Sequence, residues 1–256
     1  HDEIDCASVY SHVGEVSNLA FAPTDPSLLL TVRTATAPGA TAPRIGTTLW
    51  RLPELTETVN SERALDADST AAPPREMVRL GELPTAAPSI RLMHAQWLPP
   101  ADGGAGSSGS GSAAAGGGAT DASVVTVDDT SVRLWRVRPS GATALVSAPT
   151  TYGMDDVSFI GGVACDALHP TEVAVATDAS VTCWDTRTGE RVRHIPHAVP
   201  AGACVRALSY NINKPWHLAT GGDDYRVKVW DVRRPDAPVK VLDGHTHWYG
   251  ARGRGG

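Results

Sequence analysis

The most informative stretch of the chain is Leu218-Ala219-Thr220-Gly221-Gly222-Asp223-Asp224-Tyr225-Arg226-Val227-Lys228-Val229-Trp230-Asp231. It starts as a strand-like run, passes through a tight turn rich in Gly and Asp, and continues as a second strand that ends on a Trp-Asp pair. Similar endings stand upstream at Trp184-Asp185, at Trp135 and, more faintly, at Trp50. A unit that recurs in this way predicts a repeat architecture.

The spacing of the tryptophans indicates which repeat this is. From Trp135 to Trp184 is a step of 49 residues, and from Trp184 to Trp230 a step of 46, slightly above the roughly 40–45 residues of a WD40 unit. Mostly apolar or β-branched residues stand one and three positions before each Trp, which is strand periodicity and puts the Trp on the opposite face. Both faces are apolar when each sheet packs between two neighbours. We therefore predict an all-β WD40 β-propeller, with about four blades plus the start of another.

An acidic residue stands six positions before the Trp in the three clearer repeats. These residues are Asp129, Asp178 and Asp224, and each falls in the turn before the Trp strand. A short carboxylate at that place can cap the amides of the turn. In WD40 proteins, which these repeats resemble, the Asp also accepts a hydrogen bond from a His in the connection that enters the blade, and a Ser or Thr links that His to the Trp.

The last repeat alone offers all four parts of this network. The expected set is His197, Thr220, Asp224 and Trp230. The repeats that end at Trp135 and Trp184 lack an obvious His. We interpret all these groups as structural, because a Thr, a His and an Asp locked between sheets cannot act on a substrate.

Composition excludes several classes of function. The chain has 256 residues, 41% of them hydrophobic, and a net charge of −6, so it has no basic footprint for nucleic acid. Its apolar runs are only strand-sized, which predicts no direct insertion into a membrane. The four cysteines form no C-x-x-C pair, which favours reduced thiols in a cytoplasmic protein and no bound metal. The sequence contains no paired carboxylates, nucleophile elbow or phosphate loop, so we predict neither an enzyme nor a cofactor.

Two insertions are predicted to interrupt the repeats. Residues 103–118 contain only Gly, Ala and Ser, which predicts a disordered loop within one blade. The segment of about 56–88, rich in Ala, Pro and Thr, is predicted to be a linker between blades.

The chain begins at His1, and the opening of a further blade at Gly244-His245 is not continued. The sequence alone therefore suggests an incomplete propeller, truncated at both ends.

A particular family shares features that the fold does not require. These features are the Trp50-Arg51-Leu52-Pro53 stretch, the His245-Thr246-His247-Trp248 stretch and a dense match over residues 204–248. They resemble the EARP/GARP-interacting protein family of WD40 proteins. The resemblance implies a seven-bladed propeller that serves as a non-catalytic adaptor. Its partners would be subunits of the EARP and GARP tethering complexes at endosomes and the trans-Golgi network, where it would support endosomal recycling and retrograde traffic as a peripheral protein.

A second class of function is left open by two short motifs. Trp184-Asp185-Thr186-Arg187 and Trp230-Asp231-Val232-Arg233 match the W-D-x-R pattern of WD40 substrate receptors that dock on the adaptor of cullin-4 ubiquitin ligases. Arg187 and Arg233 would each supply a planar cation with several donors at the rim of a blade, which suits a polar interface.

Overall fold

The structure is a computed structural model that describes residues 10–36, 44–53, 76–85, 93–100, 121–140, 142–154 and 157–244. These ranges contain seventeen strands in four sheets. The first sheet consists of β1 (Glu15–Phe21), β2 (Leu28–Ala35), β3 (Arg44–Arg51) and β4 (Val78–Leu83). The second consists of β5 (Met93–Trp97), β6 (Ala122–Asp128), β7 (Ser131–Ser140), β8 (Thr143–Val146) and β9 (Thr150–Gly153). The third consists of β10 (Ile160–Cys165), β11 (Glu172–Thr177), β12 (Ser180–Asp185) and β13 (Arg191–Ile195). The fourth consists of β14 (Val205–Tyr210), β15 (His217–Gly222), β16 (Val227–Asp231) and β17 (Lys240–Leu242).

Each sheet is an antiparallel meander in chain order, which is the arrangement of a propeller blade. The second blade has its outermost strand in two pieces, since β8 and β9 both pair with the long strand β7. The signature tryptophans occupy the third strand of every blade: Trp50 in β3, Trp135 in β7, Trp184 in β12 and Trp230 in β16. The predicted all-β propeller class is confirmed.

The core lies between consecutive blades, so both faces of an inner sheet are apolar. Val124 and Val125 follow each other in β6 and are both fully buried, but they pack in different clusters because neighbouring side chains of a strand point to opposite faces. Val124 packs with the first blade, while Val125 packs with Trp184 of the third blade. The first strands of successive blades also contact one another, β1 with β5, β5 with β10, and β10 with β14.

Close approach of the third and fourth blades requires a glycine. At Gly161 in β10, a Cβ would overlap the carbonyl oxygen of Val205 in β14. Any other residue at this position would force the two blades apart. Backbone sterics, and not only side-chain packing, therefore determine how tightly these blades meet.

The structure corrects one boundary of the predicted insertions. The linker expected over about 56–88 contains a strand, because Val78–Leu83 forms β4 and pairs with β3. Leu80 and Leu83 are buried there and complete the face toward the second blade, which the Ala, Pro and Thr content of the segment obscured. The predicted loop 103–118 and the stretch His245–Trp248 lie outside the described residues.

Candidate functional site

The indole N–H of the signature Trp donates to a Thr in three of the four blades. Each Thr lies in the second strand of its blade, two residues beyond the residue that pairs with the Trp. The donor–acceptor distances are 2.8 Å for Trp50 to Thr31, 2.8 Å for Trp135 to Thr126 and 2.9 Å for Trp230 to Thr220. A buried indole needs such a partner, so this bond fixes the ring within its blade.

In the fourth blade a lysine takes the place of the predicted histidine. Trp230 and Thr220 are bonded as the sequence indicates, but His197 is exposed and no described contact links it to Asp224. Instead the Lys228 ammonium lies 2.7 Å from a carboxylate oxygen of Asp224 and 2.6 Å from the Ala198 carbonyl oxygen. Lys228 stands two residues before Trp230 and shares its face of the strand, so its long side chain reaches the acidic turn directly.

In the second blade a basic residue again stands two positions before the Trp, but it pairs with an aspartate other than the predicted one. Arg133, two residues before Trp135, lies 2.7 Å from Asp128 and 3.3 Å from the Pro84 carbonyl oxygen. Arg133 is 4% exposed and Asp128 2% exposed, so the pair is buried. The predicted acid, Asp129, has a buried carboxylate oxygen that finds no hydrogen-bond partner within the described ranges. Asp128 accepts from the Ser131 amide at 2.8 Å and is thus the carboxylate that organises this turn.

The first blade has a histidine beside its Trp that was not predicted as part of a blade network. His12 Nε2 lies 3.0 Å from Thr31 Oγ1, and its ring meets Trp50 edge to face at a centroid distance of 5.3 Å. The place of His12 in the connection that enters the blade is the one expected for the His of a WD40 network, and it could have led to this prediction. In the third blade, the predicted Asp178 accepts from the Ser158 amide at 3.2 Å, and Trp184 is buried. The contacts of His12 and of Asp178 each lie within one blade and the connection that enters it.

The two W-D-x-R arginines are presented alike on the surface. Arg233 forms two bonds to Asp231, at 2.9 and 2.7 Å, and Arg187 forms two to Asp185, at 3.4 and 3.1 Å. In each pair the arginine is exposed and the carboxylate mostly buried, with side-chain exposures of 53% against 14% and of 70% against 19%. The guanidinium lowers the pKa of the Asp in both pairs, so both pairs stay ionised at neutral pH. Each guanidinium keeps further N–H donors for a partner.

An aromatic residue between the third and fourth blades forms a second part of this surface. The Trp216 ring lies 3.7 Å from the His169 ring, with the guanidinium of Arg193 at 4.6 Å and that of Arg233 at 5.8 Å from its centroid. Trp216 has φ of 64°, a left-handed conformation that is rare for a bulky side chain. Its carbonyl accepts from the Val232 amide at 2.9 Å, which holds the strained turn against the fourth blade. We call Trp216, His169, Arg193 and Arg233 the Trp216 cluster.

Trp and Arg are the residues that dominate the energetics of protein interfaces, and strained backbone persists mostly at functional places. The Trp216 cluster therefore has the composition of a docking surface for another protein. Arg233 was predicted as a contact residue from its motif, but Trp216 was not, because its neighbours come from two different blades.

Two observations concern metal binding and thiol reactivity among the described residues. They contain no group of three His, Cys, Asp or Glu side chains arranged to hold a metal ion. Burial raises the pKa of the Cys165 and Cys183 thiols to about 12, so these two sulfurs are protonated and poor nucleophiles at neutral pH.

A cavity of about 830 Å³ is lined by residues of the first three blades, among them Pro23, Leu134, Arg136, Tyr152 and Arg187. No helix within the described ranges has the length and hydropathy of a membrane span.

Comparison with known proteins places the chain among WD-repeat proteins. No family model matches it. It is 30% identical to EARP and GARP complex-interacting protein 1 of Rattus norvegicus over 236 residues, which is 92% of this chain and 54% of that protein. It is 29% identical to the protein of the same name in Homo sapiens over 238 residues, with the same two coverages. It is 25% identical to WD repeat-containing protein DWA2 of Arabidopsis thaliana over 246 residues, 96% of this chain and 57% of that protein.

Fold and repeats together define the chain as a WD-repeat β-propeller protein. Within that class it is a homologue of the EARP and GARP complex-interacting proteins, which confirms the resemblance predicted from its sequence. The chain spans about half the length of these relatives.

Proposed function

We propose that this protein is a non-catalytic adaptor that binds the EARP and GARP tethering complexes. The observation that carries the proposal is the match over 92% of the chain to relatives named for interaction with those complexes. The Trp216 cluster supports it physically, since it offers an exposed guanidinium and a half-buried indole on a rigid scaffold. Through such partners the protein would be peripheral at endosomes and the trans-Golgi network and would support endosomal recycling and retrograde traffic.

Affinity purification of the tagged, full-length protein from its own cells tests this proposal. Tether subunits are expected to be enriched with the wild-type protein and reduced at least about tenfold with Arg233→Glu, because interface arginines are frequent hot spots. Arg234→Glu is the matched control: it makes the same charge change at the next, also exposed, residue, which donates its amide to Asp231 but has no contact with the Trp216 ring among the described interactions. Absence of tether subunits from the wild-type sample would contradict the proposal.

A second candidate function is docking on the adaptor of cullin-4 ubiquitin ligases. It is favoured by the equivalent geometry of Arg187 and Arg233, each exposed and each held by the Asp two residues earlier. Replacing both arginines by Ala is then expected to abolish capture of the cullin adaptor while the melting temperature stays nearly unchanged, because ion pairs of exposed arginines contribute little to stability. Capture of the adaptor that survives the double substitution would leave the two motifs without this role.

A further inference from the structure

The cavity of about 830 Å³ is a groove that opens at the interrupted outer strand of the second blade, and we call it the Arg136 groove. The outer strand breaks between β8 and β9, and Ser147, Ala148 and Thr150 at the break line the groove. Two hydrogen bonds hold the break in place: the Ser147 amide donates to the Arg136 carbonyl at 3.0 Å, and the Arg136 amide donates to Ser147 Oγ at 3.1 Å. In the other blades the described outer strand is one piece. The groove is therefore a feature of the second blade in particular.

The wall of the groove between the second and third blades is rigid. Tyr152 of β9 donates its hydroxyl to the Thr186 carbonyl at 2.8 Å. The Tyr152 ring packs against Gly189, where φ is 73° and a Cβ would overlap the ring. Four further wall residues have a φ that is fixed by the side chain: Pro23, Pro99, Pro100 and Pro170. Walls that are fixed before binding lower the entropy that an incoming chain has to lose with them.

The groove carries a positive charge that is not neutralised. Arg136 lines it and is exposed, and no ion pair or side-chain hydrogen bond is described for its guanidinium within the described residues. The nearby Asp121 is already engaged, because Arg138 pairs with it at 2.8 Å. The hydrogen bond from Arg138 lowers the pKa of Asp121 and the charge of Arg136 lowers it further, so this carboxylate is ionised at neutral pH. Two guanidinium groups share one carboxylate, and one positive charge is left over on a chain whose net charge is −6.

The Arg136 groove adjoins the Trp216 cluster. Pro170 and Thr171 line the groove and follow His169 of the cluster directly in the chain. The groove also contains Arg187, whose side chain is 70% exposed. In an antiparallel meander the connections after the first and after the third strand lie at the same end of the sheet, so groove and cluster open on the same side of the propeller. A protein that docks on the cluster would lie beside the groove.

We propose that the Arg136 groove binds an extended, acidic segment of a partner polypeptide, with a Glu or Asp side chain on the Arg136 guanidinium. Guanidinium and carboxylate match each other in a bidentate pair, and apolar side chains of the segment would pack on Leu134, Tyr152 and the prolines. A nucleic acid fits less well, because binding of a phosphate backbone draws on several cations and Asp121 stands nearby. The proposal does not depend on which complex the protein binds.

Selection of random phage-displayed peptides on the purified full-length protein tests the groove. The enriched peptides are expected to contain Asp or Glu, and synthetic, fluorescein-labelled copies are expected to bind with a Kd of roughly micromolar by fluorescence polarisation. Arg136→Glu is expected to weaken this binding at least about tenfold, because it places like charges opposite each other. The same variant should regain affinity for a copy in which the acidic residue is replaced by Lys. Arg136→Gln keeps much of the side-chain length and should weaken binding less, by at least about threefold.

Arg226→Glu is the matched control. Arg226 is also exposed and no contact of its side chain is described, but it stands in the turn before β16, on the fourth blade and at the other end of the strands. The same charge change there should leave the affinity within about twofold, because exposed charges farther apart than the Debye length are largely screened. Melting curves by circular dichroism verify that each variant is folded.

Several outcomes would overturn the proposal. They are a selection without enriched peptides, enriched peptides without acidic residues, and a loss of affinity that is equal for Arg136→Glu and Arg226→Glu. A protein that elutes as a dimer and becomes monomeric with Arg136→Glu would show that a second copy fills the groove. Binding that requires deletion of residues 103–118 would show that the chain itself fills it. Either result would also overturn the proposal.

Discussion

Replacing Arg133 by Ala is expected to lower the free energy of unfolding by about 3–5 kcal/mol, which is typical of breaking a buried ion pair by removing one partner. The substitution would leave Asp128, 2% exposed, without its countercharge, and the Pro84 carbonyl without its donor. Denaturation by urea, followed by circular dichroism, measures the effect as a lower midpoint.

Arg138→Ala is the matched control for this prediction. Arg138 lies in the same strand and pairs with Asp121 at 2.8 Å, but both side chains are about half exposed. Exposed pairs contribute little, so the midpoint should hardly change. If Arg133→Ala and Arg138→Ala had the same small effect, the buried pair would not be the element that holds the turn of the second blade.

Trp230→Ala is the second substitution with a large expected cost, again about 3–5 kcal/mol, because it empties a well-packed site between the third and fourth blades. Trp230 is 3% exposed and packs in one cluster with Val181 and Leu218. It also leaves Thr220 without the donor that lies 2.9 Å away.

A graded variant separates packing from hydrogen bonding at this site. Trp230→Phe keeps much of the apolar contact but cannot donate to Thr220, so its stability should fall between those of the wild-type protein and Trp230→Ala. The same substitution at Trp184 loses no such bond within the described residues, and it should cost less than at Trp230. A loss below about 1 kcal/mol for Trp230→Ala would contradict the packing derived for the fourth blade.

The blades could be predicted because their signals are local. The alternation before each Trp and the acidic turn before it lie within about ten residues, and both follow from strand geometry. The Thr220–Trp230 hydrogen bond could be predicted for the same reason, since both residues belong to one hairpin. Strand β4 was missed because its partner β3 lies some thirty residues upstream, beyond a segment whose composition indicates a linker.

Contacts between blades could not be predicted from these patterns. Asp224 pairs with Lys228 and not with the predicted His197. Which of the two side chains reaches the acidic turn depends on how the connection before the blade folds, and this cannot be deduced from the spacing of residues in the sequence. The Trp216 cluster joins His169 and Arg193 of the third blade to Trp216 and Arg233 of the fourth. The indole N–H of Trp184 has no hydrogen-bond partner within the described residues, and Val175 stands where the other blades have a Thr, which becomes visible only when the four blades are compared in space.

Direct binding of purified components tests the central claim, that this propeller is an adaptor for the tethering complexes. The full-length protein is mixed at micromolar concentration with purified EARP or GARP complex from the same organism and analysed by size-exclusion chromatography. We predict that the protein elutes with the complex, and that Arg233→Glu shifts it back to the position of the protein alone while Arg234→Glu does not. Separate elution of the wild-type protein and both complexes would contradict the claim.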